Sequence, residues 1–111
     1  MSAEVDIKAV DGTRVVSIEG EVDMANAQLV LEALAEGAPA PLIVDLTRCA
    51  FMDSTGMRAL FQGAQSAGGM PVLVCSPGNP IRELLNITSV DAVYRIVPTL
   101  DEGLAAAGEP G

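Results

Sequence analysis

A chain of 111 residues, half of them apolar, is long enough to enclose one hydrophobic core and short for two. Six basic against fifteen acidic residues leave a net charge of −9, which argues against nucleic acid as a partner, since that affinity rests on Lys and Arg neutralising phosphates. The lack of histidine removes imidazole metal sites and any Ser-His or Cys-His nucleophile, and no apolar run approaches the ~18 residues of a membrane span.

The first residues, Met1 to Asp6, lack the basic and apolar regions of a signal peptide, so a cytoplasmic protein without membrane insertion is expected. Glu4 to Val10 alternates Val5, Ile7 and Ala9 with Glu4, Asp6 and Lys8, the period of a half-buried strand. Asp11-Gly12 is a hairpin signal, and Thr13 to Glu19 returns as a second strand. Gly20-Glu21-Val22-Asp23 leads into a helix with Asp23 or Asn26 as its cap; Ala27, Val30, Leu31 and Leu34 form its apolar stripe, and Gly37, Pro39 and Pro41 stop it.

Leu42-Ile43-Val44 reads as a buried strand. Phe51-Met52-Asp53-Ser54-Thr55-Gly56 then reads as a strand-to-helix turn, followed by a helix with Met57, Leu60, Phe61 and Ala64 on one face. Asp53, Ser54 and Thr55 all compete to accept the free N–H groups at its start. Gly68-Gly69 breaks that helix, Val72 to Cys75 is a further buried strand, and Asn79-Pro80 caps a helix carrying Ile81, Leu84 and Leu85. A short strand from Val93 to Val97 and a helix from Leu100 to Ala107 follow, the latter opened by the capping-box pair Thr99 and Glu102. Residues 108–111 read as a frayed tail. The expected class is α/β: one domain over residues 1–111, with a mixed sheet, an N-terminal hairpin near one edge, later strands parallel, and about four helices.

The chemistry is mostly negative. Neither GxxxxGK[ST] nor GxGxxG occurs, nor a GxSxG elbow, so no cofactor, no metal and no catalysis are expected. Cys49 and Cys75 show no CxxC spacing and read as two buried thiols in a reducing compartment. Asp45 follows an apolar strand as a receiver-domain phosphoacceptor does. The first strand, however, ends Ala9-Val10-Asp11-Gly12 without an acidic pair for Mg²⁺, and Lys8 is the only lysine, so Asp45 reads as an outward polar residue or a backbone acceptor. Ser54 reads on local chemistry as a helix cap, or as a hydroxyl where the helix dipole tolerates an added phosphate.

Phe51-Met52-Asp53-Ser54-Thr55-Gly56-Met57 resembles the phosphorylation turn of the STAS domain family, in particular the bacterial anti-sigma factor antagonists. Gly20-Glu21-Val22-Asp23, Val44-Asp45-Leu46, and Gly68-Gly69 followed by Val72-Leu73-Val74 resemble that family at matching spacings. The resemblance implies that Ser54 is phosphorylated, with Asp23, Asp53, Thr55 and Gly56 supporting it, and that Met24, Met52, Met57 and Arg58 are candidate partner contacts. It implies a switch in which the unphosphorylated protein binds an anti-sigma factor with serine kinase activity, freeing a sigma factor, and a serine phosphatase reverses the modification. The alternative is a STAS accessory subunit of a membrane transporter.

Overall fold

A computed structural model describes residues 2–36, 41–66, 71–87 and 94–107. The expected helix stop at Gly37 and Pro39, the break at Gly68-Gly69, the strand start at Val93 and the tail at 108–111 lie outside these residues. Within them run β1 (Ala3–Val10), β2 (Thr13–Val22), α1 (Ala27–Ala35), β3 (Leu42–Asp45), β4 (Cys49–Met52), α2 (Ser54–Ser66), β5 (Val72–Val74), α3 (Pro80–Ile87), β6 (Arg95–Val97) and α4 (Leu100–Ala107).

The class is as expected: a mixed sheet in the order β1-β2-β3-β5-β6, with the hairpin strand β1 at one edge. β1 is antiparallel to β2, and the other pairings are parallel. Asp11 and Gly12 have φ of 51° and 82°, the two positive values that let a two-residue hairpin turn follow the twist of its strands.

Both faces of the sheet's middle are covered, which is why its strands are apolar throughout. On one face Val16, Ile18, Val44 and Leu73 pack with Val30 and Leu34 of α1, Leu60 and Ala64 of α2, and Ile81 and Leu85 of α3. On the other, Val15, Ile43, Val72 and Val74 pack under Leu100 and Leu104 of α4. Asn79 opens α3 as expected, its carboxamide oxygen accepting from Ile81 N–H at 2.8 Å. Thr99 Oγ1 accepts from Glu102 N–H at 3.2 Å and opens α4.

Three features differ from the sequence reading. The second strand continues to Val22, so Gly20-Glu21-Val22 is strand rather than lead-in. A strand, β4, occupies Cys49–Met52, where only the entry to a turn was expected. β3 pairs with Arg14 to Ser17 of β2 and β4 pairs with Gly20 to Val22, with a register shift between Gly20 and Glu21. β3 and β4 therefore run one after the other along the same strand, interrupted at Leu46–Arg48. Asp45 serves that interruption: its carboxylate accepts from Thr47 N–H at 3.0 Å and from the Thr47 hydroxyl at 2.7 Å, the local acceptor role its position suggested.

The third difference is Arg14, a strand residue that is buried. Its guanidinium donates to the carbonyls of Leu34 at 2.7 Å and Ala33 at 3.4 Å, and to that of Glu36, satisfying acceptors that the end of α1 leaves open. Burial lowers its pKa, and the nearby charge of Glu36 opposes that shift.

Cys49 and Cys75 are free and buried. Burial raises both thiol pKa values, that of Cys75 to about 11. Because the thiolate is the reactive form, neither is expected to react with a soluble disulfide reagent at pH 8 in the native state, and both are expected to react in denaturant. Absorbance of the released thiol checks this; fast native labelling would contradict the burial.

Candidate functional site

The strand ends build the site. β2 and β4 finish side by side, Val22 opposite Met52, so Asp23 and Asp53 follow as neighbours. Asp53 N–H donates to Val22 O at 3.1 Å, the last link between the strands. The chain then turns into α2. Asp53 Oδ1 accepts from Gly56 N–H at 2.8 Å, and Asp53 O accepts from Met57 N–H at 2.9 Å. Asp53 is therefore the N-cap, and the competition among Asp53, Ser54 and Thr55 is decided.

That outcome frees Ser54. It is the first residue of α2 and is exposed, and its hydroxyl bonds to no described residue. It stands where N–H groups and the helix dipole favour negative charge. Thr55 is also exposed, one residue further along.

The β2 end is braced separately. Asp23 is half-buried, and its Oδ1 accepts from Ala25 N–H at 2.9 Å, closing a turn. Asn26 occupies the cap position of α1 without capping it through its side chain. Instead its Oδ1 accepts from Asp23 N–H at 3.0 Å and its Nδ2 donates to Glu21 O at 3.0 Å. The two residues read as alternative caps thus hold the loop that places Asp23 beside Asp53.

An apolar groove of about 510 Å³ opens next to the serine. Met52, Met57, Phe61 and Leu84 line it, with Ser54, Asp53, Arg58, Gln62 and Gln65 around them. Of the expected partner contacts, Met52 and Met57 are 2% and 8% exposed and serve chiefly as core, while Arg58 is exposed. Met24 is 76% exposed on the Asp23 loop. The sequence reading missed Phe61 and Leu84 as groove residues. Phe61 stacks on Tyr94 with ring centroids 5.8 Å apart, and Phe51, 40% exposed on β4, adds apolar surface near the strand end. A Phe two residues before Asp53, in a segment read as a turn rather than as core, was the available signal for the latter.

Among the described residues no group of Cys, Asp and Glu could hold a metal ion, and no helix is long and apolar enough to cross a membrane. A polar hollow of about 720 Å³, with Glu4, Asp6, Lys8, Glu19, Asp45 and Arg48 among its lining, lies over β1 and β2 away from the serine. Arg48 there is 3.9 Å from Glu19, a well-exposed pair.

The fold and this strand-end turn define a mixed-sheet α/β domain that presents a serine at the start of a helix. The chain belongs to the STAS domain family, whose model matches residues 4–103. It is similar to the anti-sigma-F factor antagonist RsfB of Mycobacterium tuberculosis, 29% identical over 98 residues that span 85% of this chain and 80% of that protein. A crystal structure of an anti-sigma factor antagonist from Mycobacterium paratuberculosis superposes with a TM-score of 0.83 at 27% identity, over 97% of this chain and 96% of the other. A sulfate transporter family protein from Wolinella succinogenes superposes at 0.72 with 25% identity, over 90% and 88%.

Proposed function

We propose that this protein is an anti-sigma factor antagonist switched by phosphorylation of Ser54. The observation that carries the reading is the Ser54 hydroxyl itself: exposed, bonded to no described residue and relieved of capping by Asp53, at the rim of an apolar groove. Unphosphorylated, the protein binds an anti-sigma factor that is also a serine kinase and so frees a sigma factor. The kinase transfers the γ-phosphoryl group of ATP to Ser54 Oγ, and the complex separates. A serine phosphatase restores the first state. In this reading the protein acts as a single domain in the cytoplasm, performs no catalysis and touches no nucleic acid, consistent with its net charge of −9.

Phosphate adds a charge of about −1.5 to −2. The start of α2 makes that charge tolerable within the fold. An interface pressed against Asp23, Asp53 and the phosphate buries the added charge, and a surface fitted to the neutral hydroxyl carries nothing to match it.

The second reading, a STAS subunit of a transporter, is favoured by the likeness to the sulfate transporter family protein. The test separating the two is incubation with the anti-sigma factors of the source organism and Mg·ATP. Phosphopeptide mass spectrometry is expected to place the phosphate on Ser54 and not on Thr55. Phosphate on Thr55, or none with any of these kinases, would remove the switch reading.

A further inference from the structure

We infer that Arg58 is the internal counter-ion of a phosphorylated Ser54, drawn back one helical turn to the phosphate so that the modification changes the rim of the groove as well as its charge. The inference rests on the reading of Ser54 as the phosphosite.

Both residues lie on α2, four positions apart, and both line the same groove. At that spacing side chains on a helix are neighbours, with Cβ atoms roughly 5–6 Å apart, and an anion N-terminal to its cation is the favourable order. Asp53, the other charged residue among the described lining of the groove, already accepts from Gly56 N–H. Arg58 is exposed, and no hydrogen bond or ion pair ties it to a described residue.

The other described cations are placed differently. Arg14 is buried against the carbonyls closing α1, and Arg48 lies 3.9 Å from Glu19. Lys8 lies on the hairpin strand β1, and Lys8 and Arg48 both line the separate polar hollow. Arg82 lies on α3 and Arg95 on β6. Arg58 is thus the cation carried on α2 itself, in a chain whose net charge is −9.

The planar guanidinium can meet two phosphate oxygens at once, which an ammonium cannot. In the unmodified protein the same group lines the groove with Met57 and Phe61 and is tied to no described residue. Drawn to the phosphate, its stem lies along the helix towards Ser54, and a partner meets a rim whose one positive group is occupied.

The test uses full-length protein with phosphoserine installed at residue 54 during translation, so no kinase is needed. The readout is the phosphate's second pKa, followed by ³¹P NMR. In the wild-type background it is expected to lie on the order of half a pH unit below that of the Arg58→Gln variant. Arg58→Lys is expected to recover part of the difference, and Arg48→Gln, which removes an equal charge elsewhere, to leave the titration unmoved. The start of α2 acts on the phosphate equally in every variant, and thermal melts confirm that each is folded. Coincident titrations of the wild-type and Arg58→Gln proteins, or an equal shift from Arg48→Gln, would overturn the inference. Because the phosphate is installed directly, a kinase that modifies another residue would end the phosphosite reading while leaving the measured pair standing.

Discussion

Ser54→Asp is expected to weaken binding to the anti-sigma factor at least tenfold while leaving the protein folded, and Ser54→Ala to bind as the wild type does. The arrangement of the turn separates charge from capping. Asp53, and not Ser54, accepts the Gly56 N–H bond, so truncating Ser54 removes no cap and its melting temperature should match the wild type. Asp53→Ala is the variant that loses the cap, at about 1 kcal/mol. A carboxylate at residue 54 would join Asp53 and Asp23 at the paired strand ends, where the fold is expected to tolerate it and the proposed interface to reject it. A full phosphate carries more charge, and a penalty of about 2.7 kcal/mol corresponds to a hundredfold loss of affinity. Calorimetric affinities measured beside thermal melts decide the matter. If Ser54→Asp binds like the wild type while Ser54→Ala melts lower and binds less, Ser54 is structural. Equal affinities for the phosphorylated and unmodified proteins would end the switch.

The second large effect is expected at Gly56. A Cβ there would stand 2.8 Å from both Met52 Cγ and Val22 Cγ1, and 3.1 Å from Val22 O. The first turn of α2 is therefore pressed against the ends of β2 and β4, and Gly56→Ala must lift it. Overpacking of this kind costs about 1–3 kcal/mol, against which alanine's helix propensity returns roughly 1. Gly63→Ala is the comparison: its Cβ would lie 2.6 Å from Leu34 Cβ, between α1 and α2 and about two and a half turns from the serine. Both variants are expected to melt several degrees lower, at about 4–8 °C per kcal/mol for a domain of this size. Only Gly56→Ala is expected to weaken partner binding at temperatures where both are folded, because it displaces Ser54 and Asp53. A wild-type melt for Gly56→Ala would show that the turn is looser than its contacts imply, and equal binding losses in both variants would detach the effect from the site.

Much of this architecture is legible in the amino-acid order because it depends on neighbours along the chain. The Asp11-Gly12 turn, the Asn79 and Thr99 caps, the apolar stripes of α1 and α2 and the buried strands at Leu42 and Val72 each follow from residues a few positions apart. The same order marks the segment around Ser54 as a helix start with three candidate caps.

Choosing among those three took the sheet. β4 has no alternating pattern, since Ala50 and Phe51 are both exposed between buried Cys49 and Met52, and it exists because β2 continues past its register shift and offers Val22 as a partner. Once Asp53 N–H is bound to Val22 O, the strand has ended at Met52 and the Asp53 side chain falls on Gly56 N–H, leaving the next residue's hydroxyl in solvent. The groove likewise needs Leu84 of α3 beside Met57 of α2, and the end of α1 needs Arg14 from β2. Local periodicity records which residues seek the core or accept a nearby N–H; it holds no record of which strand end will lie against which, and that adjacency alone assigns the cap to Asp53 and the free hydroxyl to Ser54.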